Sequence, residues 1–180
     1  MTTDRKILGY KLYGHIPHLP GSKLGPGDHK ISEGQAKIAT EKTRDKHDII
    51  IVQEKLDGSC MGVAKYKDQL YFLTRRGYLA ETSPFEQHHV FVTWAQKNYD
   101  RFYCMLQDGE RLVGKWLYQA HGTLYLLPHE PFVAFDIMEG HARMPFEEFK
   151  ARNESAGQFI LPRVISCGSH PVSIAEAMEA

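Results

Sequence analysis

Apolar positions along the chain follow two rhythms. Ile49 to Val52 is an unbroken run rich in β-branched residues; it leads into Gln53-Glu54-Lys55, breaks at Asp57-Gly58 and resumes as Met61-Gly62-Val63-Ala64. This predicts strand, tight turn, strand, because Asp-Gly is a common two-residue hairpin turn. Further strands are predicted at Gln69–Thr74, Arg111–Tyr118 and Pro131–Ile137, the last read as buried. From Glu86 to about Leu106 the rhythm changes. Val90, Phe91, Trp94, Ala95, Tyr99, Phe102 and Met105 recur at three- and four-residue steps, which predicts one long helix with a core-facing aromatic stripe, and Pro84 just ahead is compatible with its start.

Shorter elements fill the rest. A short strand is predicted around Ile7-Leu8 and Tyr10, a helix from Pro145 to Arg152, and a strand from Phe159 to Ser166 interrupted by Pro162. A last helix is announced by Ser173 and Glu176 at capping-box spacing. Residues 34–47 are polar and read as a short helix or a loop. The run from Tyr13 through Pro17, Pro20, Gly21 and Gly25 to Asp28 excludes helix and central strand. Ile16, Leu19 and Leu24 within it predict a loop pinned against the body.

At 180 residues the chain reads as a single domain, 1–180. An apolar content of 42% is that of a soluble globular protein rather than a disordered one. The formal net charge is zero, so any polyanion site must be a local patch. Lys23, Lys30, Lys37, Lys42, Arg44 and Lys46 concentrate positive charge ahead of the central strand and read as solvated surface. No apolar run approaches membrane-spanning length and no leader-like segment opens the chain, which predicts a cytoplasmic protein with no membrane partner. Cys60, Cys104 and Cys167 are odd in number and widely spaced, against a disulfide framework. His15-x-x-His18 and His88-His89 lack companions at ligand spacing, so no metal-ligating residue is assigned.

Lys55 is the focus of the candidate chemistry. It sits at the mouth of the expected turn, between a buried strand and a glycine suited to close approach. Two readings stand on the residues alone: an amine presented to a phosphate, or an ordinary hairpin with a solvated lysine.

Lys55-Leu56-Asp57-Gly58 resembles the Lys-x-Asp-Gly nucleotidyl-transfer motif of the covalent nucleotidyltransferases, the ATP-dependent DNA and RNA ligases and mRNA capping enzymes. Three later stretches resemble further motifs in the same order. Thr74-Arg75-Arg76-Gly77 is similar to Ser-Arg-Asn-Gly, and the resemblance implies that Arg75 contacts the nucleotide or a 5′-phosphate, for which a guanidinium fork is suited. Gly114-Lys115-Trp116-Leu117-Tyr118, followed by His121 and Tyr125, resembles the RNA-ligase form Gly-Glu-Trp-Leu-Tyr. Lys115 departs from that pattern: the family's glutamate accepts bonds from the ribose hydroxyls, and lysine has donors only. Glu110, an odd step away, faces the other side. Phe135-Asp136-Ile137 resembles Phe-Asp-Ile, which implies that Phe135 stacks on adenine. Residues 16–22, Ile-Pro-His-Leu-Pro-Gly-Ser, resemble the same region of RNA-ligase-type proteins.

The resemblance implies an α+β nucleotidyltransferase (ATP-grasp-like ligase adenylation) domain with antiparallel sheets around an ATP cleft. Its C-terminal part is missing, since neither a Glu-Gly-Val-type strand nor a Lys-x-Lys strand follows Phe135. It implies ATP and Mg2+ as cofactors and RNA 5′-phosphate and 3′-hydroxyl ends as partners, with Lys55 forming lysyl-AMP. The nucleotide-binding set it implies is Gln53, Glu54, Asp57, Gly58, Arg75, Lys115 and Phe135, with Gln53 favoured over Glu54 because it shares a strand face with Lys55. Cys60 replaces the Asn or Arg usual in the family, and with Lys115 and the missing motifs it points to impaired chemistry. A non-catalytic module binding ATP or RNA 5′ ends, and a DNA-ligase-type enzyme, are the alternatives.

Overall fold

The computed structural model describes residues 6–180. In chain order its elements are α1 (Glu33–Thr40), β1 (Ile50–Gln53), β2 (Ser59–Tyr66), β3 (Gln69–Thr74), α2 (Glu86–Lys97), α3 (Tyr99–Met105), β4 (Glu110–Trp116), β5 (Phe132–Glu139), β6 (Ala142–Arg143), α4 (Phe146–Arg152), β7 (Val164–Gly168) and α5 (Ile174–Glu179). They fall into two compact units. The larger takes the described part of residues 1–14 with Leu56–Leu161, and the smaller takes His15–Lys55 with Pro162–Ala180. All pairings between these strands are antiparallel, as the expected α+β class requires. Among the described residues no helix is long and apolar enough to cross a membrane.

The larger unit is a five-stranded sheet in the order β3-β2-β4-β5-β6. The hairpin that β2 forms is not the expected one. Tyr66 pairs with Gln69, so the turn residues are Lys67 and Asp68, with φ of 50° and 60°. That left-handed geometry is what a two-residue turn matched to strand twist needs. At Asp57-Gly58 the chain does not turn back: β1 leaves for the smaller unit and residues 54–58 run as a connection. Gly58 is used for close approach instead, since a Cβ there would lie 2.8 Å from both the Trp116 carbonyl oxygen and Leu117 Cδ2.

The two faces of the sheet are buried by different means. One carries Met61, Val63, Leu112, Trp116, Phe132 and Ile137 against Phe91, Ala95, Phe102 and Met105 of the helices. The single helix expected over Glu86–Leu106 is two, separated at Asn98. The Asn98 side-chain amide donates to the Trp94 carbonyl at 2.9 Å, and its oxygen accepts from Arg101 at 2.8 Å. Such local bonds compete with helix continuation. Both helices still present the same apolar stripe, so the periodicity predicts the packing correctly and the break wrongly. Glu110 lies on this face as expected and accepts from Arg152 at 2.6 Å.

The other face is covered by the N-terminal segment, where a strand was expected and turns are found. Leu12 and Tyr13 pack there with Ala64, Leu73, Val113 and Met138. Buried Arg111 secures the segment by donating to the Leu12 carbonyl at 2.7 Å and to the Gly140 carbonyl at 2.8 Å. The close packing depends on Gly62. A Cβ there would meet the Leu112 carbonyl oxygen at 2.4 Å and Leu12 Cδ1 at 2.9 Å.

The smaller unit pairs β1 with β7, Ile51 opposite Cys167, with a register shift after Val52. Glu54 extends the contact: its N–H donates to the Arg163 carbonyl at 3.0 Å and its carboxylate accepts from the Arg163 N–H at 2.8 Å. The expected strand at Phe159–Ser166 is displaced to Val164–Gly168 because Phe159 is a core residue of the larger unit. Of the aliphatic side chains expected to pin residues 15–31, Ile16 is 62% and Leu24 41% exposed, and Leu19 is half-buried. Backbone bonds close the loop, His18 N–H to the His29 carbonyl at 2.7 Å and Ile31 N–H to the His18 carbonyl at 2.9 Å. Ser32 caps α1, and the Ser173–Glu176 capping box forms at α5 as expected.

Substituting Gly62→Ala forces a methyl group against the Leu112 carbonyl and Leu12. The variant is expected to lose about 1–3 kcal/mol of unfolding free energy, measured as a lowered denaturant midpoint at unchanged m-value.

Candidate active site

Asp57 and Gly58 lie between β1 and β2, outside any sheet ladder, and Ser59 and Cys60 open β2. Backbone groups without ladder partners need others, and here side chains provide them. The Asp57 N–H donates to the Tyr125 hydroxyl at 2.8 Å. Lys115 Nζ donates to the Gly58 carbonyl at 3.1 Å. Ser59 Oγ donates to Gln87 Oε1 at 3.1 Å and lies 3.0 Å from His121 Nε2. A hydroxyl has one proton to give, so with Gln87 accepting it the His121 ring nitrogen is the donor. Half-buried Lys115 lies opposite Cys60 on the β2–β4 ladder.

A register slip in β5 builds the second part of the site. Val113 faces Asp136 while Gly114 faces Ala134, so Phe135 is an extra residue in the ladder. A bulge of this kind puts two consecutive side chains on one face. Phe135 and Asp136 therefore both point towards the N-terminal segment. The Tyr13 ring meets Phe135 edge-on, centroids 5.1 Å apart at 82°. The Tyr13 hydroxyl donates to Asp136 Oδ2 at 2.5 Å, and Arg143 Nε reaches the same oxygen at 2.9 Å. The Arg143 guanidinium also contacts the Tyr13 hydroxyl. Burial first, then the bond to Asp136, push the Tyr13 hydroxyl well above its ordinary pKa and keep it a donor. Tyr13, Asp136 and Arg143 are residues of this face that sequence reasoning missed; Asp136 alone carried a signal, inside the Phe-Asp-Ile stretch.

Arg75 is exposed at the end of β3 and donates to the Gly14 carbonyl at 3.0 Å. Cys60 reports on the charges around it. Its thiol is pushed up to about 11, chiefly by burial and further by Asp136, against the opposing pull of Lys115 and Arg75. Asp57, Gly58, Arg75, Lys115 and Phe135 thus all belong to the larger unit.

Gln53, Glu54 and Lys55 belong to the smaller one, the chain passing between units at Lys55–Leu56. Lys55 is exposed. Its charge is among those that hold the Asp28 carboxyl below the usual range, after the Gly25 N–H, His18 and His15. Asp28 was not foreseen. Glu54 is occupied by Arg163, whereas Gln53 Nε2 is buried with no hydrogen-bond partner among the described residues. Among the described residues no three His, Cys, Asp or Glu side chains converge as a metal site.

The mixed helices and antiparallel sheet match a nucleotidyltransferase ligase fold. A solved structure titled archaeal ATP-dependent RNA ligase, form 2, superposes with a TM-score of 0.51 at 21% identity, over 74% of this chain and 34% of that one. Form 1 gives 0.48 at 20%, over 73% and 34%. The chain spans about a third of the length of these solved ligases. No curated protein matches it in sequence. The family model for RNA ligase matches residues 48–179, well over half of the chain. The chain belongs to the RNA ligase family.

The thiolate is the reactive form of cysteine. At pH 8 a thiol with a pKa of about 11 is ionised in about one molecule in a thousand. Peptide mapping after brief iodoacetamide treatment at that pH is expected to find exposed Cys104 and Cys167 alkylated first and Cys60 last. Cys60 gains reactivity only as the pH rises towards its raised pKa.

Proposed function

We propose that this chain carries the adenylyl-transfer chemistry of an ATP-dependent RNA ligase, as a single adenylyltransferase-like domain with Lys55 as the nucleophile. The observation that carries the reading is the extent of the family match. It runs over residues 48–179 and so takes in Lys55-Leu56-Asp57-Gly58, Gly114–Tyr118 and Phe135-Asp136-Ile137.

In this reading the Lys55 free amine attacks the α-phosphorus of ATP. The N–P bond forms, the bond to the bridging oxygen breaks with its electron pair leaving on pyrophosphate, and the surplus amine proton goes to solvent. AMP then passes from lysine to an RNA 5′-phosphate, and a 3′-hydroxyl displaces it as the new phosphodiester forms. Phe135 supplies a face for the adenine, and the edge-on contact with Tyr13 fixes that face. Gln53 Nε2, buried and without a partner among the described residues, is the better base-binding group, since Glu54 already holds the Arg163 backbone. Arg75 binds phosphate oxygens. Magnesium would enter with the nucleotide's phosphates rather than on a dedicated protein cage. Lys115 offers a ribose hydroxyl donors in place of an acceptor and is a handicap for nucleotide binding.

Intact-protein mass after incubation with ATP and magnesium tests the reading. The wild-type chain is expected to gain one AMP through an acid-labile N–P bond, and Lys55→Ala is expected to gain nothing. No gain by the wild type, with ATP binding retained, would leave the non-catalytic binding module as the better account.

A further inference from the structure

Three consecutive residues just past Lys55 are each held by a side chain from one short segment. Tyr125 takes the Asp57 N–H, Lys115 takes the Gly58 carbonyl, and His121 donates to the Ser59 hydroxyl. Gly122 completes the contact, since a Cβ there would lie 3.0 Å from Asp57 Oδ2. No other hydrogen bond holds the Asp57 N–H in the described residues, and its bond to Tyr125 spans 68 positions of sequence. A lysine side chain has a flexible four-carbon stem, so its amine is placed only as well as the backbone that carries it. Loss of reacting geometry by about 1 Å can cost about a hundredfold in rate.

We propose that residues 115–125 clamp the Asp57–Ser59 segment, with Tyr125 a positioning residue for the attack by Lys55; this rests on the functional reading above. The clamp acts through the main chain. Tyr125 sets the orientation of the peptide unit between Leu56 and Asp57, Lys115 that between Gly58 and Ser59, and His121 fixes the start of β2. Lys115 has here a role that glutamate could not fill, because a carboxylate has no proton to offer the Gly58 carbonyl.

Tyr125→Phe keeps the ring and removes only the acceptor. In the full chain, the Asp57 amide is expected to exchange with deuterium faster in this variant than in the wild type. Lysyl-AMP formation at saturating ATP is expected to fall about tenfold, with the ATP concentration for half-maximal rate unchanged. Leu126→Ala, at a position 94% exposed, is the control expected to change neither quantity. Unaltered Asp57 exchange, or a half-saturating ATP concentration that shifts in step with the rate, overturns the clamp. So does a Tyr125→Phe variant that labels as fast as a wild type that gains AMP. A wild type that gains none overturns the functional reading on which the clamp rests.

Discussion

Because Ala134 and Asp136 oppose neighbouring residues of β4, Phe135 has no partner across the ladder, and the face it joins is shaped by that one extra residue. Without the slip, strict alternation would send Phe135 and Asp136 to opposite sides of the sheet. With it, an aromatic ring and a buried carboxylate stand side by side and can be gripped together by Tyr13. The carboxylate would be costly to bury alone, and the Tyr13 hydroxyl and Arg143 guanidinium offset that cost with charge-assisted bonds. The N-terminal segment that delivers Tyr13 is in turn admitted by the missing side chain of Gly62 and tethered by Arg111. One ladder irregularity and one glycine therefore decide the shape of the whole face.

Much of the sheet was legible in the sequence, since β2, β3, β4 and β5 announce themselves through β-branched and aromatic runs, and α2–α3 through its stripe. What went unread has identifiable causes. Asp57-Gly58 satisfies the composition of a hairpin turn, and only the tertiary contact of Gly58 with Trp116 shows that the chain runs on instead. Asn98 is compatible with a helix by periodicity and interrupts it by side-chain bonding. The N-terminal segment contains apolar residues in no regular rhythm because it packs as turns over a sheet, and no period describes such packing.

The candidate site was legible in proportion to how locally it is encoded. Lys55, Asp57 and Gly58 stand in one short stretch and are recognisable by it. The cluster of Tyr13, Asp136 and Arg143 is assembled across 123 and 130 positions of sequence, and nothing near Tyr13 marks it as a partner of a strand so far away. Lys115 is the reverse case: its departure from the family pattern is plain in the sequence, and its bond to the Gly58 carbonyl is visible only in three dimensions.

The smaller unit is made from two pieces of chain, residues 15–55 and 162–180, with Leu56–Leu161 of the larger unit inserted between them. β1 has a single partner in its sheet, β7, and Ile50 pairs with a residue well over a hundred positions later. During synthesis on the ribosome, the strand that ends two residues before Lys55 has no mate until Val164–Gly168 has emerged. Closing so long a loop is slow unless its contents have already condensed. The natural order of assembly is then the inserted sheet first and the β1–β7 pair last, so the strand that leads to Lys55 is the final part of the fold to be set in place.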